Sequence, residues 1–326
     1  MNHRVIATAL LAAAALSSCG DGGADPPSSS PAPRQSPGAS TGRLAFHRIG
    51  RLPAPLQLPA VVPAPSGRVL VLGGLSAADT STDGIVLVRP SGLARVVGHL
   101  PGPLHDSAAA SVDEHAYLFG GGDLSAGRAV LRVSAGGRTW PAADLPTGAS
   151  DLAAAAVGTT AYVVGGYTGS VSLRSILAFS PGRGVRRVAT LPRPLRYAAV
   201  AAVDGNVLIA GGTSGTSAQR AVLRFDPGDG RLTRIATLPR PLTHAAGAVL
   251  RRRFYVIGGR GNAVNSASSA VWSVGPAGGT VLHAGRLPTA LSDVGAASMP
   301  RNIVVVGGRD AAGGVHDGIL SARAAP

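Results

Sequence analysis

Short apolar runs recur along this chain, and each ends in a pair of glycines. VLVLGG closes at Gly73-Gly74, AYLFGG at Gly120-Gly121, AYVVGG at Gly165-Gly166, VLIAGG at Gly211-Gly212, FYVIGG at Gly258-Gly259 and IVVVGG at Gly307-Gly308. A Leu-Pro pair precedes each run, at Leu52, Leu100, Leu145, Leu191, Leu238 and Leu287, so the spacing is about 47 residues. Self-similarity at such a period indicates a propeller, a solenoid or an array. Within a copy the apolar stretches are strand-length and separated by turn residues. The fourth copy predicts strands at Tyr197 to Val203, Val207 to Ala210, Ala221 to Phe225 and Leu232 to Ala236. Asp204-Gly205-Asn206 joins the first two, and Asp226-Pro227-Gly228-Asp229-Gly230 the last two; both are turn sequences. Helical periodicity is missing between the copies. The unit is therefore a four-stranded antiparallel meander, and six of them around an axis make an all-β, six-bladed β-propeller.

The two ends of the pattern complement each other. The sixth copy stops after a third strand, Gly318 to Ala322, while Leu44 to Gly50 matches the fourth strand of the other copies. An N-terminal strand that completes the last blade closes the ring and removes a free edge. An open solenoid would instead require polar capping repeats, which the ends do not show.

The glycine pair after an apolar strand, the Asp226-Pro227 turn after Arg224-Phe225, and the Leu-Pro followed by polar positions resemble kelch repeats of galactose-oxidase-like propellers. The resemblance spans residues 44–324. It departs at the tryptophan that kelch units usually carry in the fourth strand. Only Trp140 lies near that place; the other copies carry Phe46, Val185, Leu232 and Val281. The resemblance implies a binding scaffold. It also allows an enzyme acting on sugars, because some six-bladed kelch-like proteins outside the cytoplasm do so. Copper-radical chemistry of related oxidases would need a tyrosine joined to a cysteine, and the one cysteine here is Cys19.

That cysteine belongs to an address signal. Met1 to Arg4 is a short basic start, Val5 to Leu16 is an apolar stretch too short to span a bilayer, and Leu16-Ser17-Ser18-Cys19 follows. The arrangement resembles a bacterial lipobox, with Cys19 the lipidated residue; the alternative is an ordinary secretory signal. The expected organisation is a lipoprotein signal peptide at 1–18, a Gly/Pro/Ser-rich tether at 19–43 and the propeller at 44–326. The location would be extracytoplasmic, with a membrane anchor through Cys19. The tether has too few bulky apolar side chains to offset its ordering entropy. As a flexible chain it would span roughly 25–30 Å.

The formal net charge of +14 invites a nucleic-acid partner. Every basic residue is arginine, however, Glu114 is the lone glutamate, and the arginines are scattered through all copies. A nucleic-acid binder gathers them on one face, so no nucleic acid is expected.

Candidate chemistry collects at one end of the propeller. The Leu-Pro segments lead into the innermost strands, beside the axis. One column there reads Gln57, His105, Ser150, Arg196, Thr243 and Ser292; the next reads Leu58, Asp106, Asp151, Tyr197, His244 and Asp293. The first residues after Gly-Gly include Tyr167, Arg260 and Arg309. The ligand-binding candidates are His105, Asp106, Asp151, Tyr167, Arg196, Tyr197, His244, Arg260, Asp293 and Arg309. A structural reading stands beside this one, since Asp or Ser at a strand entrance can accept backbone N–H bonds. The residue mixture favours function, because a symmetric structural device would repeat one residue in every blade. No catalytic set, cofactor or metal site is assigned: HxxxH-type spacing and a phosphate-cradling glycine loop are both missing. The leading function is a membrane-anchored monomeric module that presents this mouth to a protein, peptide or envelope glycan. The alternatives are a mutarotase, lyase or hydrolase using the aspartates, and an envelope scaffold.

Overall fold

In the computed structural model, residues 42–325 are described, and every element in them is a β-strand. The signal peptide, Cys19 and nearly all of the tether lie outside the described residues. The strands form six antiparallel sheets arranged as a six-bladed β-propeller. Blades 1 to 5 occupy residues 60–104, 108–144, 153–190, 199–242 and 246–286. Blade 6 takes three strands from residues 295–324 and its outermost strand, Leu44–Arg51, from the N-terminal end. That strand pairs antiparallel with Gly318–Ala324, from Leu44 opposite Ala324 to Arg51 opposite Gly318. The first element of the domain thus closes the ring as the sequence predicts.

Strand limits shift near the axis. The innermost strand of blade 4 begins at Ala199, two residues later than the pattern suggests. Tyr197 has φ 54° and cannot continue a strand. Two other strands are longer than expected: Ser217–Asp226 pairs with Arg231–Leu242, which runs past its Leu-Pro pair.

The glycine pair is the joint between blades. The first glycine of each pair has φ between 55° and 64°, and the second between 87° and 116°. A Cβ on the first would be driven into a backbone carbonyl of the segment that leads to the next blade: Leu104, Ala149, Leu195, Leu242, Leu291 or Leu56. The second glycine donates its N–H to that same carbonyl at 2.8–2.9 Å in all six blades. Left-handed backbone and close approach are both routine for glycine alone, so the repeat is written with glycine.

The core lies between the blades. Phe119, Phe179, Phe225, Phe254 and Tyr255 are fully buried, and each apolar cluster draws on two adjacent blades. Phe179 sits against both Tyr117 and Phe119 of blade 2, with ring centroids 4.9 and 5.5 Å apart. Around the axis the inner strands are small: Ala153–Val157 reads AAAAV and Ala199–Val203 reads AVAAV.

Candidate functional site

Each Leu-Pro segment crosses the upper face of the propeller and turns down into an inner strand. There the first polar column joins the post-Gly-Gly residue by a two-way backbone bridge. Gln57 pairs with Leu75, His105 with Gly122, Ser150 with Tyr167, Arg196 with Thr213, Thr243 with Arg260 and Ser292 with Arg309. The side chains of both sets are thereby fixed around one opening.

The second column forms a ring of its own. Leu58, Asp106, Asp151, Tyr197, His244 and Asp293 all have φ between 54° and 60°. Their backbones hydrogen-bond from blade to blade around the axis. Leu58 N–H donates to Asp293 O, Asp106 to Leu58, Leu152 to Asp106, Tyr197 to Asp151, His244 to Tyr197 and Asp293 to His244, at 2.8–3.4 Å. This corrects the sequence argument that a structural device would repeat one residue. The device is in the backbone, and it asks only for tolerance of the left-handed region, in which Asp and His are enriched.

All ten candidate residues reach this end of the molecule. Asp106, Asp151, Tyr197, His244 and Asp293 line a narrow throat of 100 Å³ on the axis. Below it a 200 Å³ channel is lined by Ala109, Ala154, Ala201, Gly247 and Ala296. His105, Tyr167, Arg196, Arg260 and Arg309 stand on the rim.

Side-chain contacts knit the throat together. Tyr197 donates its hydroxyl to Asp106 Oδ2 at 3.1 Å and stacks on His244 at 3.7 Å between ring centroids. Arg260 Nη2 lies 3.1 Å from His244 Nε2. A guanidinium can only donate, so Nε2 accepts and the ring proton sits on Nδ1, which donates to Thr243 Oγ1 at 3.0 Å. Thr243 in turn meets Thr213 Oγ1 at 2.6 Å. Burial, followed by the charges of Arg260 and Arg196, pulls the His244 pKa down to about 2. His244 is thus a neutral, positioned ring.

Burial, reinforced by Asp151, pushes the Asp106 pKa well above the ordinary carboxyl value. Burial also raises Asp151 and Asp293, against hydrogen bonds from Ser150 and Ser292 respectively. Arg196 Nη1 lies 3.2 Å from Asp151 Oδ2, yet the alignment makes an ion pair rather than a hydrogen bond and leaves that buried oxygen without a donor. The same guanidinium covers Tyr167 at 4.6 Å and Tyr197 at 5.2 Å.

One arrangement was not legible in the sequence. Ser81 Oγ lies 2.9 Å from His105 Nδ1, and His105 Nε2 lies 3.6 Å from Asp106 Oδ2. The order is that of a hydrolytic triad, but the second gap exceeds hydrogen-bond reach. Burial also favours the neutral Asp106 carboxyl, which already accepts from Tyr197, so little charge is left to stabilise an imidazolium. Among the described residues, no three His, Cys, Asp or Glu side chains converge to hold a metal ion.

With this geometry in view, the likenesses are informative about fold. The sequence profile of the Kelch motif matches residues 148–190. That stretch is blade 3 with its incoming Leu-Pro segment's end. Residues 148–190 carry a Kelch motif. The solved structure of YjhT superposes with a TM-score of 0.70 at 14% identity, covering 82% of this chain and 95% of that one. It is one of 733 solved chains that match, so the shared architecture selects no single function. No curated protein matches in sequence. The repeat and the six-bladed propeller support, in general terms, a binding or scaffold module.

Proposed function

We propose that this chain is an extracytoplasmic binding module, tethered to a membrane through Cys19, that captures a protein or peptide at the propeller mouth. Kelch propellers commonly mediate protein interactions, and the mouth here is polarised. Arg196, Arg260 and Arg309 come from three consecutive blades, 4 to 6. The post-Gly-Gly loops of blades 2, 3 and 5 end in exposed aliphatic tips, Leu124 at 99%, Val171 at 60% and Val264 at 57% exposure, so apolar tips stand both across the opening from the arginines and beside them. A partner with acidic and apolar side chains side by side matches that arrangement. A glycan matches it less well, because aliphatic tips offer no stacking surface and the face of Tyr167 is taken by Arg196.

The runner-up reading, an enzyme acting on sugars, is favoured by the raised pKa values of Asp106 and Asp151. Against it, the throat they line holds 100 Å³, below the roughly 300–1,000 Å³ of small-molecule sites.

The test is capture from envelope extracts by the full lipidated chain. Replacing Leu124 and Val171 by Ser should strip the captured partner while leaving the melting curve in place; replacing Arg196, Arg260 and Arg309 by Ala should strip it too, with a lower melting temperature from the lost Arg260–His244 and Arg196–Asp151 contacts. Recovery of the same proteins by both variants would sink the assignment of the mouth. Turnover of a glycan panel that disappears in Asp151→Asn would favour the enzyme.

A further inference from the structure

A second cavity of the propeller is not axial. It is a 590 Å³ groove on the flank of blade 4, nearly six times the throat and inside the size range of small-molecule sites. Its floor is aliphatic: Leu191, Leu195 and Ile209 are buried there, and Leu223 and Leu232 line it. Ala218 and Ala221 leave the space open. Three arginines stand at its margins, Arg193, Arg220 and Arg234, and no acidic residue lines it.

Two of the three arginines are only partly engaged. Arg220 uses Nε and Nη2 on the Leu238 and Pro239 carbonyls, at 2.9 and 3.0 Å. Arg234 places Nη2 on Thr237 Oγ1. Arg234 is directly opposite Leu223 in the strand register, so a cation and an aliphatic side chain share one face. Blade 3 carries a smaller counterpart of 380 Å³, with Leu177 opposite Arg187 and Arg174 at the place of Arg220. Blade 3 has Thr147 where blade 4 has Arg193, so of these two grooves the one on blade 4 has the third cation and the greater volume.

We propose that this groove binds a free single-chain alkyl carboxylate, its chain along Leu195, Ile209 and Leu223 and its head between Arg193 and Arg234. The charge pattern selects the occupant. An aliphatic floor rewards a hydrocarbon chain in proportion to the apolar area removed from water. Cations without lining acids reward one anionic head, and the bidentate fork of arginine fits a carboxylate. This site is independent of the mouth, so it stands whether or not the mouth captures a protein.

The experiment is calorimetric titration of the purified chain with decanoate below its micellar concentration, with decanol and butyrate as controls. Decanoate should bind at one site, decanol should bind roughly tenfold or more weakly for want of the charged head, and butyrate should give no heat. Arg193→Ala with Arg234→Ala should weaken decanoate to the level of decanol. Ala221→Trp, which fills the groove, should abolish binding of both. Equal affinity for decanol and decanoate would overturn the proposal, as would decanoate heats unchanged by the double arginine variant. Those two arginines are exposed and hold no buried contact, so the double variant tests the site even if the tryptophan variant fails to fold.

Discussion

At the throat, three aspartates sit where burial favours the protonated form. The raised pKa of Asp106 has a stability consequence whose sign is opposite to ordinary acid denaturation. Below the unfolded carboxyl value both states hold the proton and no penalty arises. As pH rises through that value the unfolded chain ionises first, so the native state loses ground until its own raised pKa is passed. Asp106→Asn imitates the protonated carboxyl, keeps an oxygen for the Tyr197 hydroxyl and tolerates φ 56°. The variant should melt above the parent at pH 7, and the gap should close as the pH falls towards 4. Thermal melts of the two proteins across that range check this. A gap that widens on acidification would mean that Asp106 is ionised and paired in the native state. His244 pulls the other way: it stays neutral while the unfolded imidazole protonates below about 6.5, so it lowers stability on acidification.

At the scale of the element, the blade boundaries were plain in the sequence because two obligations recur in every copy. The glycine pair must lie under the next blade, and the Leu-Pro segment must cross to it. The ring of left-handed residues was not legible, because a hydrogen bond between Asp293 and Leu58 leaves no mark on either neighbourhood in sequence. The backbone explains the shared conformation of Asp, Tyr and His there and asks for no one side chain. Arginine was half legible. Arg128, Arg174 and Arg220 fall 17 or 18 residues before the next Leu-Pro, and each donates to that leucine's carbonyl at 2.9–3.1 Å. Arg174 and Arg220 add the proline carbonyl. Part of the high net charge is therefore a set of staples that hold the connecting segment to the preceding blade. Arg174→Ala should cost about 1–2 kcal/mol, since two charge-assisted bonds at a partly exposed place are lost. Arg174→Lys should recover little of it, because a point charge cannot reach two carbonyls with one planar fork. Urea unfolding midpoints of the three proteins decide the matter. Full recovery by lysine would show that charge alone matters there.

For the whole molecule, the closing strand fixes a direction. Leu44–Arg51 runs as the fourth strand of blade 6, from the turn face towards the Leu-Pro face that bears the mouth. The chain accordingly joins the domain on the face opposite the mouth. Gly42 packs against Arg253, which follows the Arg251-Arg252 turn, and Arg43 O accepts from Ala325 N–H on the same side. A lipid anchor at Cys19 would bias the domain to hold its turn face to the membrane and its arginine half-ring outward. Fluorophores on Leu124→Cys, at the mouth, and on Ser91→Cys, in the Arg89–Leu93 turn, report the two faces. In vesicles carrying a headgroup quencher, the lipidated chain should lose several times more emission from position 91 than from position 124. Equal quenching would mean that the domain tumbles freely on its tether, and stronger quenching at 124 would mean that the mouth faces the bilayer, leaving no room for a soluble protein partner there.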